Sequence, residues 1–114
     1  MGFSKFLAIL DFKKKVSTKS LVLFTRQLAT LIAAGLPLVK ALRTLYDQLE
    51  PGALKGVIKS IADEVESGSN FSEALAHFPN VFPNFYVNMI KAGELGGMLE
   101  GILKRLSEFL DKTQ

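Results

Sequence analysis

The sequence predicts an all-α protein, a six-helix bundle with short connections. Apolar residues recur with helical spacing in one segment after another, and no run alternates at period two for long enough to require a strand. Glycine or proline stands between the periodic segments, as expected of short helix-to-helix links. Because each amphipathic helix must bury its apolar face, this pattern favours helices packed around one core.

The chain is expected to divide into an amphipathic, basic segment or linker, residues 1–16, and a helical domain, residues 17–112. In the first segment Phe3, Phe6, Leu7 and Leu10 fall on one helical face, and a run of lysines follows at 13–15. Such a segment could dock on the domain, lie on a membrane surface or be disordered.

The first helix is predicted to begin near Ser17 or Thr18, which are both good N-cap residues. Gly35 is expected to end it as a left-handed residue just beyond the helix. Pro37 suits the first turn of the second helix, where its missing N–H costs nothing. The apolar positions of the first helix are Leu21, Phe24, Leu28, Leu31 and Ile32.

The second helix is expected to end at Pro51 and Gly52, and the third at Gly68. Asn70 and Glu73 have the spacing of a capping box, which opens a short fourth helix. The inward positions of the second helix are Leu38, Ala41, Leu42, Leu45 and Leu49, and those of the third are Leu54, Val57, Ile58, Ile61 and Val65.

Pro83 is predicted to start the fifth helix, and the stretch AGELGG, residues 92–97, to join it to the sixth. In this stretch we expect Gly93 to cap the fifth helix and Glu94 to stand at the start of the next. Gly96 and Gly97 would then let two backbones come close. The inward positions are Phe85, Tyr86, Met89 and Ile90, followed by Met98, Leu99, Ile102, Leu103, Leu106, Phe109 and Leu110.

Composition limits the possible functions. The chain lacks cysteine, which removes disulfides, thiolate nucleophiles and Cys-based zinc sites. The net charge of +3 comes mainly from lysines near the start. The mean hydropathy of +0.25 indicates apolar surface kept for a partner, so we expect a homodimer with a seam on the first helix or the last two.

No segment is expected to span a membrane. The most apolar window, residues 21–39, contains Arg26 and Gln27 and is broken by Gly35 and Pro37. A spanning helix needs about twenty mostly apolar residues without such interruptions.

The sequence offers little catalytic chemistry. His77 is the only histidine, and it is interpreted as a loop or helix-end residue. No phosphate-binding loop, HExxH motif or calcium loop occurs, so neither an enzymatic activity nor a cofactor is predicted. A weaker hypothesis gives Glu94 a cation at the dimer seam, with further ligands from Glu100 or from the second chain. A capping role for Glu94 at a helix start is favoured over it.

A nucleic-acid-binding or adaptor domain is the alternative function. The helix after Gly35 offers Lys40, Arg43 and Gln48, and the last helix offers Lys104 and Arg105 among acidic residues. Neither set makes the dense basic stripe that such binding uses.

Arg26 and Gln27 interrupt an otherwise apolar helix. They either point to solvent or form a buried or interfacial polar pair that fixes helix register or binds a partner.

Several motifs in this order resemble the inner-membrane platform proteins of type II secretion and type IV pilus assembly. They are the TRQL run at 25–28, the AGxPL turn at 34–38, the GxxFxxAL cap at 68–75 and the AGExxG junction at 92–97. The resemblance covers residues 17–112, and the segment VESGSNFSEAL leans toward the pilus branch. The matching positions are Arg26, Gln27, Gly35, Pro37, Gly68, Phe71, Ala74, Leu75, Phe82, Ala92, Gly93, Glu94 and Gly97.

The resemblance implies a non-enzymatic scaffold at the cytoplasmic face of the bacterial inner membrane. It implies contacts with the cytoplasmic assembly ATPase and with other inner-membrane assembly proteins, and a domain that tends to dimerise. It also implies a membrane-embedded full-length protein with two copies of this helical domain, of which this would be the first. Among the signature residues, Arg26, Gln27 and Glu94 are those where a polar function stays open.

Overall fold

A computed structural model describes residues 16–113 of the chain. They form six α-helices: α1 (Thr18–Ala33), α2 (Leu38–Gln48), α3 (Ala53–Glu66), α4 (Phe71–Ala76), α5 (Asn84–Gly96) and α6 (Leu99–Thr113). This part of the chain contains no strand, so the all-α prediction is confirmed. The predicted amphipathic segment, apart from Val16, lies outside the described residues.

Helix α1 lies between α6 and α2, and the chain then passes from α2 through α3 and α4 to the α5–α6 pair. The side chain of Ser17 accepts a hydrogen bond from the Ser20 N–H, which confirms the predicted N-cap. At the other end Gly35 has a φ of 99°, and the N–H of Leu36 donates to the carbonyl of Leu31. This is a Schellman ending at the position that the sequence predicts.

Proline precedes two helices rather than standing inside them. Pro37 is the N-cap of α2 with a ψ of 150°, so its predicted place in the first turn is wrong by one position. Its carbonyl accepts from the N–H of Ala41. Pro83 has the same N-cap role at α5. In both cases extended backbone at the proline turns the chain before the helix begins.

The core draws on all six helices and on the connection before α5. Its largest fully buried side chains are Tyr86, Phe24, Phe71, Phe82, Leu28, Leu42, Ile58, Ile61, Leu75, Ile90, Leu103 and Leu106. Phe82 contacts both Phe24 and Tyr86, with ring centroids 6.4 and 5.3 Å apart. These aromatic contacts tie α1 to the start of α5.

Three side chains that the helical pattern places inward are largely exposed. Phe85, Met98 and Phe109 keep 40%, 62% and 49% of their surface accessible, so their assignment to the core is wrong. Phe85 and Phe109 instead meet edge to face at the surface of the α5–α6 pair, with centroids 5.4 Å apart. Periodicity identifies the apolar stripe of a helix but not the point at which a neighbouring element stops covering it.

Candidate functional site

The α5–α6 corner, residues 92–99, differs from its predicted form. Helix α5 continues through Gly93 and Glu94 and ends at Gly97, whose φ is 69°. The N–H of Met98 then reaches back to the carbonyl of Gly93 at 2.7 Å. The prediction that Gly93 caps the fifth helix is therefore wrong, and the left-handed cap is Gly97.

Gly93 is a buried position in the interior of α5 and faces α6. A Cβ atom added there would stand 2.8 Å from Cγ1 of Ile102 and 3.4 Å from Cα of Leu99. A Cβ added at Gly96 or Gly97 would meet nothing within 4 Å. The close approach that the sequence predicts at Gly96 and Gly97 is thus made by Gly93, because α6 turns back over that face of α5.

Glu94 caps a helix, but not the one predicted. It lies in the last turn of α5, where its Oε2 accepts from the N–H of Phe71 at 2.7 Å and its Oε1 from the N–H of Ser72 at 3.2 Å. These donors open the short helix α4 and have no partner within it. A carboxylate is also the favourable charge at a helix N-terminus.

The N-terminus of α4 is fixed from two sides. The side chain of Glu73 accepts from the N–H of Asn70 at 3.2 Å, which confirms the predicted capping box. Glu94 adds the two longer-range bonds. Together they join the α3–α4 connection to the α5–α6 corner, so the GxxFxxAL and AGExxG motifs form one contact.

The cation hypothesis for Glu94 gains no support from this geometry. Both carboxylate oxygens face backbone N–H groups. Among residues 16–113 no group of three or more His, Cys, Asp or Glu side chains could hold a metal ion. The carboxylate therefore acts as a positioning group for α4.

Arg26 and Gln27 both face the surface. Nη2 of Arg26 pairs with both carboxylate oxygens of Asp111, which ties α1 to α6. The side chains of this pair are 52% and 45% exposed, so it stabilises the fold by about 1 kcal/mol at most. Gln27 lines a groove between α1 and α2 together with Leu23, Leu45 and Leu49. Both side chains are therefore exposed, Arg26 in a surface ion pair and Gln27 beside an open groove.

The buried polar group of the TRQL run is Thr25, which the sequence does not single out. Its Oγ1 donates to the carbonyl of Leu21 and lies 2.7 Å from the hydroxyl of Tyr86. Since the Thr25 hydroxyl has one proton, Tyr86 must be the donor to it. Burial raises the pKa of Tyr86 far above its ordinary value, which keeps the phenol neutral and donating. A polar residue within a predicted buried face is the signal that could have found it.

Surface charges between α2 and α3 are paired. Arg43 contacts Asp63 at 2.8 Å and Glu66 at 2.6 Å, and Lys59 contacts Asp63 at 3.0 Å. Hydrogen bonds from Lys59, and to a lesser extent from Arg43, lower the pKa of Asp63. The pKa of Arg43 is raised by its hydrogen bond to Asp63 and, to a lesser extent, by the one to Glu66. Arg43 is therefore engaged within the domain, which weakens the nucleic-acid alternative.

His77 is the C-cap of α4, in agreement with its interpretation as a helix-end residue. Its Nδ1 lies 2.7 Å from Oε1 of Glu64 on α3, and 62% of the His77 side chain is exposed. The pair adds a surface link between α3 and α4, away from the contacts of the α5–α6 corner.

Several signature residues act in caps, turns or a helix contact, namely Gly35, Pro37, Gly93, Glu94 and Gly97. Residues 24–114 match the family model described as Type II secretion system (T2SS), protein F. The chain belongs to this family. The resemblance drawn from the motifs is confirmed, and it places the chain among the platform proteins of type II secretion and type IV pilus assembly.

The curated relatives include type IV pilus assembly proteins and type II secretion proteins. The type IV pilus assembly protein PilC of Myxococcus xanthus is 44% identical, over 87% of this chain and 24% of the relative. The type II secretion system protein F of Aeromonas hydrophila is 38% identical, over 90% of this chain and 26% of the relative. The type IV pilus assembly protein PilC of Thermus thermophilus is 45% identical, over 82% of this chain and 23% of the relative.

The chain thus spans about a quarter of the length of these curated relatives. Between residues 16 and 113, no helix combines the length and apolarity needed to cross a bilayer. Because pilus and secretion proteins are both represented, the lean toward the pilus branch stays a prediction.

Proposed function

We propose that this domain is a non-enzymatic scaffold at the cytoplasmic face of an inner-membrane platform protein, where it docks the assembly ATPase and other inner-membrane assembly proteins. Membership of the protein F family is the observation that carries the proposal. Several signature residues support it, because Gly35, Gly93, Glu94 and Gly97 serve capping and packing. Gly97 ends α5, Gly93 lets α6 pack closely against it, and Glu94 joins the α5–α6 corner to α4.

Self-association is the second part of the proposal. Across residues 16–113, the large exposed apolar side chains are Leu23, Phe85, Leu95, Met98 and Phe109. All of them lie on α1, on α5, on α6 or at the α5–α6 corner. Leu23 on α1, and Leu95 with Met98 at the α5–α6 corner, support a homodimer seam on the first helix or the last two, since exposed apolar side chains mark candidate interaction surfaces.

Two charge substitutions distinguish the possible seams. Leu23→Asp tests the α1 side, and Leu95→Asp tests the α5–α6 corner, where the side chain is 81% exposed. Lys40→Gln is the charge-matched control, because it also lowers the net charge by one and lies exposed on α2, away from both candidate seams. Sedimentation equilibrium across the micromolar range should show a concentration-dependent dimer that one of the two leucine variants weakens and the control does not. A concentration-independent monomer overturns this part of the proposal.

Docking of the ATPase is tested in the full-length protein. A photo-crosslinker at Leu23 or Leu95 should capture the cognate assembly ATPase from membranes, with Lys59 on α3 as the comparison site. Equal capture at all three sites, or none, counts against the scaffold role. If the full-length protein is recovered outside the membrane fraction, the platform assignment fails as well.

The nucleic-acid alternative is tested separately. A mobility shift with duplex DNA that weakens steeply with salt would favour it over the scaffold. We expect no such shift, because Arg43 is paired with two carboxylates and the basic residues of α6 alternate with acidic ones.

A further inference from the structure

An apolar groove lies where the start of α1 meets the connection before α5 and the outer sides of α5 and α6. We call it the N-terminal groove and define it by Val16, Leu21, Val81, Pro83, Phe85 and Phe109. Leu21 and Val81 are buried and lie at its base. Phe85 and Phe109 stand at its side, with 40% and 49% of their surfaces accessible.

The two phenylalanines make this surface different from the other exposed apolar positions. Their rings meet edge to face at 5.4 Å with an angle of 66° between planes, so they present one joined aromatic surface. Covering this aromatic pair and the apolar side chains beside it with an apolar partner is favourable, because it removes apolar surface from water.

The chain enters the domain beside this groove. Val16 and Ser17, the first residues that the structure describes, line it and also border the groove between α1 and α2. The 15 residues before them carry the apolar stripe Phe3, Phe6, Leu7 and Leu10 at helical spacing. The link formed by residues 11–15 can span about 17 Å when fully extended, so the stripe is within reach of Phe85 and Phe109.

We propose that residues 3–10 bind in the N-terminal groove, with the stripe of Phe3, Phe6, Leu7 and Leu10 against Phe85 and Phe109. The segment is favoured over a second copy or another protein because it is tethered at the groove's edge. A short tether gives an effective concentration on the order of millimolar, which a free competitor would have to exceed. The docked segment covers the aromatic pair and fixes the direction in which the chain enters the domain.

The chain has no cysteine, so a single nitroxide label can be placed without other changes. Ser4→Cys puts the label beside the stripe but outside it. In the full 114-residue chain, paramagnetic broadening should be strong at the amides of Val81, Phe85 and Phe109 and much weaker at the C-terminal end of α3, because only the start of α3 lies near Val16 and Ser17. The double variant Leu7→Asp, Leu10→Asp, which places two charges on the apolar stripe, should remove most of this broadening. Ala8→Asp, on the opposite face of the predicted helix, is the matched control and should preserve it.

Three results would overturn the proposal. The first is weak broadening spread evenly over the domain, as for a freely moving segment. The second is groove broadening that persists in the Leu7→Asp, Leu10→Asp variant. The third comes from mixing nitroxide-labelled ¹⁴N chains with ¹⁵N chains that carry no nitroxide: broadening equal to that within one chain would assign the groove to a second copy. The substituted positions precede α1, so the amide spectrum of α2 to α4 serves as the check that each variant is folded.

Discussion

The pairs Ala34-Gly35 and Ala92-Gly93 are alike in local sequence but differ in structure. The first pair ends α1, and Gly35 adopts a φ of 99°. The second lies inside α5, which continues for three further residues before Gly97 ends it. Gly35 is exposed and a Cβ there would meet nothing, whereas Gly93 is buried against Ile102.

The residues that follow each pair account for the difference. Leu36-Pro37 follows Gly35, and a residue before proline is disfavoured in the helical region. Glu94-Leu95 follows Gly93, and both are good helix formers. An Ala-Gly pair therefore ends a helix only when the following residues also stop it. At the second pair, tertiary contacts of Gly93 and Glu94 reinforce continuation.

The largest expected effect comes from making the second pair resemble the first. Leu95→Pro creates Ala-Gly-Glu-Pro, the counterpart of Ala-Gly-Leu-Pro at 34–37. We expect a loss of about 3 kcal/mol or more in the free energy of unfolding, because proline breaks the last turn of α5 and moves Glu94 away from α4. Urea denaturation measures it. Leu95→Ala is the control and should be nearly neutral, since the Leu95 side chain is 81% exposed; equal effects of the two variants would contradict this explanation.

Removal of the Glu94 carboxylate should have the next largest effect. Glu94→Ala leaves the N–H groups of Phe71 and Ser72 without their acceptor, which costs about 1–3 kcal/mol. Glu94→Gln keeps one acceptor oxygen and should lose roughly half as much. Amide hydrogen exchange should speed up at Phe71 and Ser72 in both variants. Unchanged exchange there, or an equal loss from exposed Glu50→Gln, would exclude the capping role.

Gly93→Ala tests the close approach of α5 and α6. The added methyl group would overlap Ile102, which costs about 1–3 kcal/mol, while the better helix propensity of alanine returns up to about 1 kcal/mol. We expect a net loss of about 1–2 kcal/mol in chemical denaturation. Measured against Ile102→Ala alone, the double variant Gly93→Ala, Ile102→Ala should recover part of it, because alanine removes the facing Cγ1 atom. No recovery would point to a cause other than this contact.

The smallest expected effect is a slight increase in stability. Gly96 is helical, and a Cβ there meets nothing within 4 Å. Gly96→Ala should therefore raise the free energy of unfolding by about 0.5 kcal/mol through lower entropy of the unfolded chain. Thermal denaturation would show a small rise in Tm. A loss would mean that the glycine-rich stretch needs flexibility at this position.

The helices themselves are readable from sequence because their signals are local. The Ser17 cap, the Gly35 ending and the Asn70–Glu73 capping box each depend on a few adjacent residues, and all three are confirmed. The predicted end of α5 is wrong because three glycines stand close together and each can end a helix in isolation. The helix formers Glu94 and Leu95 favour continuation to Gly97, and the packing of Gly93 against α6, which no local pattern contains, reinforces it.

The candidate site is less predictable for the same reason. The sequence marks Glu94 as a polar candidate, but its partners are more than twenty residues earlier in the chain. Thr25 and Tyr86, 61 residues apart, meet only when α1 and α5 pack together. The exposed aromatic pair Phe85–Phe109 follows from where the neighbouring elements end, which depends on the assembled fold.

The difference between the two glycines is tested most directly by placing alanine and asparagine at both positions and measuring the four free energies of unfolding. At Gly35 the φ of 99° determines the cost of a substitution. Asparagine should destabilise the fold less than alanine there, because it adopts left-handed conformations more readily. At Gly93 the lack of space beside Ile102 determines the cost. Asparagine should destabilise the fold more than alanine there, because its side chain is larger. A reversal of order between the two positions is the predicted result. The same order at both would mean that Gly35 and Gly93 play one role, which would contradict the distinction between a turn glycine and a packing glycine.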